Sequence, residues 1–364
     1  MRAAAIVALL AAVACDRGEQ SFTIGAAGPW KEGDGVMTRR GIELALDEIN
    51  RAGGIRGAPL RLEARDDQAD PARATAIAQD FVSNPRIVAV VGHVNSGAML
   101  AAAKVYDGQL AAVATSASSP DLTGVSPWVF RVISSDSLNG VILARFATQI
   151  GGNDEMLKRG AVLYENDAYG RGLADAFRRN FRGTLVSFDP ISADMEDAET
   201  FVAYLKARQA GIVFVAGREA SALRFLREAR KQQFNAVFLG GDGWQGIVAD
   251  PATAEGAYVG TSFNAEDRRN EVRRFVAAFE KRYSTKPDAF AALSYDATRL
   301  IATALNERGG NRKAVRDYLA SLGPDDPYPG VTGPVYFSAG GDALGMGFRV
   351  AQVSNGTLTS GAGQ

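Results

Sequence analysis

The sequence predicts an α/β protein of two doubly wound parallel-sheet lobes joined by a multi-stranded hinge. Three observations carry this expectation. From residue 21 onward, short apolar runs alternate with amphipathic helical patterns, the signature of βαβ units with right-handed crossovers. The rhythm comes in two blocks of similar size, separated by a break near residues 134–159. The last third departs from it, with three helical patterns in succession and then two late strands. A chain of 364 residues also suits roughly two domains of about 150 residues each.

In the first block, residues 21–26 read as a strand and 36–51 as a helix, with Ile42, Leu46 and Ile49 on one face. Residues 60–65 alternate apolar and polar. Asp70-Pro71 is an N-cap followed by proline at the first helical position, opening a helix whose stripe is Ala74, Ile77, Ala78 and Phe81. A continuous apolar strand over 87–91, a helix over 96–108 and a strand over 111–115 complete the block. In the second block, strands at 160–164, 184–188, 211–216 and 236–239 are separated by helices near 170–182, 197–209 and 219–233. Helices at 268–284 (Val272, Phe275, Val276, Phe279), 288–308 and 311–321 follow, then strands near 334–338 and 348–353. The helices are expected to return to the first lobe and the last strand to cross to the second. That assigns 22–137 plus 265–347 to lobe 1 and 138–264 plus 348–358 to lobe 2, with the crossings forming a hinge around a cleft.

Composition narrows the function. Forty Lys and Arg against 41 Asp and Glu leave a net charge of −1, which supplies no field for nucleic acid or an anionic membrane. His93 is the only histidine and Cys15 the only cysteine. A His/Cys zinc site and an intrachain disulfide are therefore excluded, and no EF-hand spacing occurs. No metal or cofactor is expected. At the N-terminus, Arg2 precedes an apolar run over 3–14, too short for a membrane span of about 20 residues and shaped like a secretory signal. Its end, Ala12-Val13-Ala14-Cys15, resembles the bacterial lipoprotein box, with Ala12 where leucine is usual. Lipidation of Cys15 would hold the chain outside the cytoplasmic membrane by acyl chains alone; a plain signal peptide is the alternative.

Ligands of open parallel sheets bind beyond the carboxyl ends of the strands, so the polar residues there are the site candidates. They are Ser96 after the strand 87–91, Ser116 and Ser118 after 111–115, Tyr169 after 160–164, Arg218 after 211–216, and Asp242 after 236–239. Ser96 and Ser118 sit by helix starts, where hydroxyls, free N–H groups and the helix dipole favour an anion. Asp242 offers a negative charge to a cation. Opposite signs facing across a cleft would orient a zwitterion, of which an α-amino acid is the commonest small example. Taken singly, each has a plainer use: a helix cap for the serines, a half-buried aromatic for Tyr169, a surface charge for Arg218, a turn for Asp242. Their shared position at strand ends in both blocks favours the ligand role.

The segments IELALDEINRAGGIRGAPLRLEARDDQADPARA (42–74), VVGHVNSG (90–97), SASSPDLTG (116–124), ENDAYGRGLADAF (165–177) and GGDGW (240–244) resemble the leucine/isoleucine/valine-binding proteins, type I periplasmic solute-binding proteins of ABC transporters. The resemblance spans about residues 21–358. It implies the type I periplasmic binding fold, and a periplasmic binder that captures an amino acid and delivers it to an inner-membrane permease and ATPase complex. It also implies that Ser96 and Ser118 hold the ligand carboxylate. The Ser116 backbone and Asp242 would receive the ammonium, and Tyr169 would close over it. Two departures bear on the ligand's side chain. Arg218 stands where aliphatic binders often carry an aromatic residue, and Asp34 falls near another such position, with Trp30 beside it in partial compensation. A polar or acidic amino acid, or a small amide or urea, is then as well suited as leucine.

Other classes fit less well. A hydrolase using Ser96 with His93 lacks the G-x-S-x-G elbow. Gly241-x-Gly243-x-x-Gly246 matches the dinucleotide fingerprint but follows the last strand of the second block, not the first βα turn. A ligand-binding sensor on the same fold, reporting to a membrane receptor, shares every feature above.

Overall fold

The computed structural model describes residues 21–360. Its first sheet is built from β1 (Phe22–Gly28), α1 (Gly33–Arg51), β2 (Leu60–Asp66), α2 (Pro71–Ser83), β3 (Ile87–Gly92), α3 (Ser96–Tyr106), β4 (Ala112–Ala114) and β5 (Val129–Arg131). The strands are all parallel, in the order β2-β1-β3-β4-β5. β3 is buried at every residue, as expected of a central strand with helices on both faces. α2 begins as its sequence dictates: Pro71 opens it and the Asp70 side chain accepts the Arg73 N–H at 2.8 Å.

The second sheet follows from α4 (Asp136–Gly151), β6 (Arg159–Glu165), α5 (Ala168–Asn180), β7 (Thr184–Ile191), α6 (Ala198–Ala207), β8 (Ile212–Ala216), α7 (Glu219–Lys231), β9 (Val237–Gly240), α8 (Pro251–Ala254) and β10 (Tyr258–Thr261). The expected break at 134–159 is corrected here, because α4 occupies most of it. Its buried face, Asn139, Gly140, Leu143, Ala144 and Ala147, is small and mixed in polarity, so the helical period is faint in the letters. Gly140 lets α4 lie tightly on α5, where a Cβ would run into Ala176 and the Phe177 backbone.

The chain then returns to the first sheet. Val272, Phe275 and Phe279 of α9 (Asn270–Tyr283), most of α10 (Ala289–Arg308), and Val315 and Leu319 of α11 (Arg312–Ser321) share one core with Ile24, Ile42 and Ala89. β11 (Tyr328–Gly330), β12 (Gly333–Phe337) and β13 (Ala343–Leu344) form a small antiparallel sheet beside it. The buried carboxylate of Asp296 in α10 ties this sheet down by accepting the backbone N–H groups of Val331 and Thr332. Finally β14 (Arg349–Ser354) pairs antiparallel with β10, and β15 (Thr357–Ser360) with β14. The second sheet thus runs β15-β14-β10-β9-β8-β6-β7. Three segments carry the chain between the sheets: β5 to α4, β10 to α9, and β13 to β14.

α1 and α10 cross closely at Gly41, where a Cβ would meet the Ala291 carbonyl and the Ser294 hydroxyl. Overpacking at such a contact costs about 1–3 kcal/mol. Gly41→Val is expected to lower the unfolding free energy by that amount, read as a lower denaturant midpoint with an unchanged m value; an unaltered midpoint would show that the two helices separate freely.

Candidate functional site

The carboxyl ends of β3, β4, β6, β8 and β9 converge on one small cavity of about 20 Å³. Ser96, Ser116, Tyr169, Arg218 and Asp242 line it, together with Asp34, Val94, Asn95, Gly243 and Phe290. Asp34, Arg218, Gly243 and Phe290 also line a larger cavity of about 980 Å³. Two of the residues expected in the site stand behind the lining. Ser118 is fully buried and its hydroxyl donates to Asp136 Oδ2 at 2.9 Å. The Trp30 ring packs with Val94 over Gly28, and its indole N–H has no partner in the interior.

The first sheet contributes hydroxyls and a helix start. Ser96 opens α3, and its Oγ accepts the Ser119 N–H at 3.2 Å, which leaves its own O–H to donate. Ser116 donates to the Val94 carbonyl at 3.1 Å. From the second sheet, Tyr169 at the start of α5 donates to Asp242 Oδ1 at 3.0 Å and accepts the Gly243 N–H at 3.0 Å. The phenol is thereby fixed between the carboxylate and the backbone.

Arg218 precedes α7, with its guanidinium 5.2 Å from the centre of the Tyr169 ring. It pairs with Asp167 at 2.8 Å and with the buried Glu165. Glu165 also accepts the Arg218 backbone N–H and the Ser221 hydroxyl, each at 2.8 Å. Burial alone would lower the Arg218 pKa, but Asp167 and Glu165 hold it above the ordinary guanidinium range. Its charge is already shared between two protein carboxylates.

A residue that the sequence did not disclose completes the polar set. Asp136, at the start of α4, is fully buried, donates its N–H to the Ser118 carbonyl and accepts from Ser118 and Asn139. Burial, and then the facing charge of Asp242, push its pKa well above the usual 3.8. Burial also raises Asp242 to about 6, against the opposing pull of the Tyr169 hydroxyl. The only textual signal for Asp136 was the Ser135-Asp136 pair, in which Ser135 caps α4.

The rival chemistries find other geometry. Both ring nitrogens of His93 are engaged away from Ser96, Nδ1 with Asp67 Oδ2 at 2.6 Å and Nε2 with the Tyr106 hydroxyl at 3.1 Å. Gly241 caps, and Gly243 and Gly246 sit in, a 3₁₀ segment, Asp242–Ala249, that follows β9, instead of opening the α-helix a dinucleotide fingerprint requires. Among the described residues, no cluster of three His, Cys, Asp or Glu is arranged for a metal, and no helix is long and apolar enough to cross a membrane. Cys15 and the apolar run before it lie outside the described residues.

Two doubly wound sheets, linked by three chain crossings and sharing one polar cavity at their strand ends, define a bilobal solute-binding protein. The periplasmic binding protein family model matches residues 25–357. A Pseudomonas aeruginosa amino acid binding protein is 30% identical over 306 residues, covering 80% of each chain. A substrate-binding protein of an ABC transporter from Desulfitobacterium hafniense, solved with leucine, superposes with a TM-score of 0.80 at 32% identity, over 93% of this chain and 99% of that one. The branched-chain amino acid transporter protein LivJ of Streptococcus pneumoniae, solved with isoleucine, gives 0.86 at 25% identity, over 93% and 98%. The chain belongs to the periplasmic binding protein family, in its leucine/isoleucine/valine-binding group.

The raised Asp242 pKa has a defined consequence for stability. Folded Asp242 keeps its proton up to about pH 6, whereas unfolded aspartate loses it near 3.8. The folded state therefore binds more protons between these values, and stability falls as pH rises through them. Without added ligand, the Tm is expected to decline from pH 4 to 7, and less steeply in Asp242→Asn. Equal slopes in the two proteins would show that Asp242 titrates normally.

Proposed function

We propose that the protein is the extracytoplasmic solute-binding component of an ABC importer, which captures an amino acid between its lobes and hands it to a membrane permease. One observation carries this reading. The Ser96 hydroxyl at the start of α3 and the Asp242 carboxylate line the same small cavity from opposite sheets. A carboxylate fits the α3 N-terminus and the Ser96 O–H. The ammonium fits Asp242 and the Ser116 carbonyl, with Asp136 adding negative potential from behind Ser118. Tyr169 covers the ligand, and its bond to Asp242 holds the acceptor in place. No covalent step is involved. The amino acid binding protein of Pseudomonas aeruginosa and the leucine and isoleucine complexes of the two structural relatives support this class of ligand.

Capture works by closure. Residues 22–137 with 265–347 form the lobe that first receives the ligand, and 138–264 with 348–358 form the lobe that swings over it. The lobes approach closely where α5 meets the turn after β4. There Gly172 has Pro120 against its bare Cα, so that a Cβ would overlap the proline ring. Lipid on Cys15 would keep the closed form near its permease.

Calorimetry with α-amino acids tests the head-group assignment. Asp242→Ala is expected to abolish binding. Ser96→Ala should weaken it by about 1.5–3 kcal/mol, the usual worth of a hydrogen bond to a charged group. Unchanged affinity in either variant would remove that residue from the site. A hundredfold excess of ligand over its Kd should stabilise the wild type by about 2.7 kcal/mol. Gly172→Val is expected to raise the Kd tenfold or more with little change in the unliganded Tm; wild-type affinity would mean that the lobes need not approach there.

A further inference from the structure

Beside the head-group contacts, one side of the cavity is walled by hydrogen-bond acceptors. Asn95 lines the cavity and is only 7% exposed, yet its buried Oδ1 has no hydrogen-bond partner. The Asn95 side chain stands beside Asp34 and acts to lower that carboxylate's pKa, against the larger effect of burial; an amide turned the other way would set oxygen toward a carboxylate. Asp34 lies at the junction of the small and large cavities, with Oδ1 accepting the Gly35 N–H at 2.7 Å. Burial raises its pKa, and Glu32, Glu219 and Asp288 stand near enough to interact with its charge. They come from three places: the residue before α1, the first residue of α7, and the N-cap of α10.

The cations nearby do not cancel this wall. Arg218 faces Asp34 but is shared between Glu165 and Asp167. Lys31, Arg224, Arg227 and Lys286 line the large cavity, as Glu32, Glu219 and Asp288 do, so the acceptors beside the head-group contacts at the small cavity are Asp34 and Asn95. Val94, Phe290 and Met37 supply apolar surface along the way outward, the kind of surface that covers the methylenes of a long cationic side chain.

We infer that the preferred ligand is an amino acid whose side chain ends in a protonated nitrogen, received by the Asp34 carboxylate and Asn95 Oδ1. The inference rests on the amino-acid reading of the head-group site and names its substrate class. A leucine side chain would bring no donor to Asn95 Oδ1 and none beyond the Gly35 N–H to Asp34, a costly arrangement for buried polar groups. A glutamate side chain would meet Asp34 and find Arg218 already neutralised.

Calorimetric titration of the purified protein with lysine, ornithine, arginine, leucine, alanine, glutamate and cadaverine tests it. At least one of the three basic amino acids is expected to bind tenfold or more tightly than leucine and glutamate. Asp34→Asn should lose at least ten times more affinity for that ligand than for alanine, and Asn95→Leu should shift preference toward leucine. Stronger wild-type binding of leucine or glutamate would overturn the inference while leaving the head-group site intact. Equal losses for the basic ligand and alanine in Asp34→Asn would overturn it as well. Cadaverine binding as tightly as lysine would instead overturn the head-group reading and keep the acceptor wall, and binding of none of the panel would overturn both.

Discussion

Burying carboxylates of like charge close to one another is the constraint around which the cleft is organised. Asp136 and Asp242 both lie in the interior and raise one another's cost of ionisation. A buried charge without a partner is expensive, and the neighbours of this pair meet the cost only in part. Ser118 and Asn139 donate to Asp136, and Tyr169 donates to Asp242. All three donors are neutral groups. The cations close by are directed elsewhere, Arg218 to Glu165 and Asp167 and Arg131 to Asp342. The pair can therefore hold a proton, as its raised pKa values describe, or receive a positive group from outside the chain. The proposed selectivity for a protonated amine would follow from that choice.

The same constraint explains why the lobes must be joined as they are. Asp136 belongs to the first crossing segment. It bonds Ser118 on the side of the first sheet and begins the helix that packs on α5 on the side of the second. Asp242 begins the turn after β9, at the far wall of the cavity. Moving one lobe against the other changes the separation between the acceptor pair and the hydroxyl end of the site. In the proposed capture, closure and recognition would in this way be one coordinate. The α1–α10 crossing at Gly41 and the bonds from Asp296 to Val331 and Thr332 brace the first sheet and its helices, so the proposed closure would be taken up by the three connecting segments.

What the letters disclosed, and what they hid, follows from the range of the interactions. Local chemistry was legible. Asp70-Pro71 announced α2, the apolar run at 87–91 announced β3, and the polar residues expected after the strands, all but Ser118, line the cavity because parallel topology puts strand ends together. Elements defined by close backbone approach were not. α4 buries glycine, alanine and asparagine more than large apolar residues, and β5 and β10 are only three and four residues long. Side-chain pairings across long separations were also hidden. Nothing near Arg218 in the sequence points to Glu165, 53 residues earlier, and nothing near Ser118 tells that its hydroxyl turns to Asp136. The residues were visible; the direction of their hydrogen bonds was set by tertiary contacts.

That division has a functional counterpart. The proposed head-group contacts would come from positions that parallel sheets supply by construction: a helix N-terminus after β3, a carbonyl after β4, a carboxylate after β9. They suit any α-amino acid and so carry little discrimination. The rest of the wall is drawn from the start of α1, the loop before α3, the cap of α7 and the start of α10, through Asp34, Asn95, Arg218 and Phe290. These residues lie outside the sheets and can change without disturbing the strand ends. Specificity is separable from capture for that reason. In the proposed reading, a pocket whose head-group half suits an amino acid can turn to a different side chain through a handful of residues at helix starts, and here two of them, Asp34 and Asn95, present acceptors.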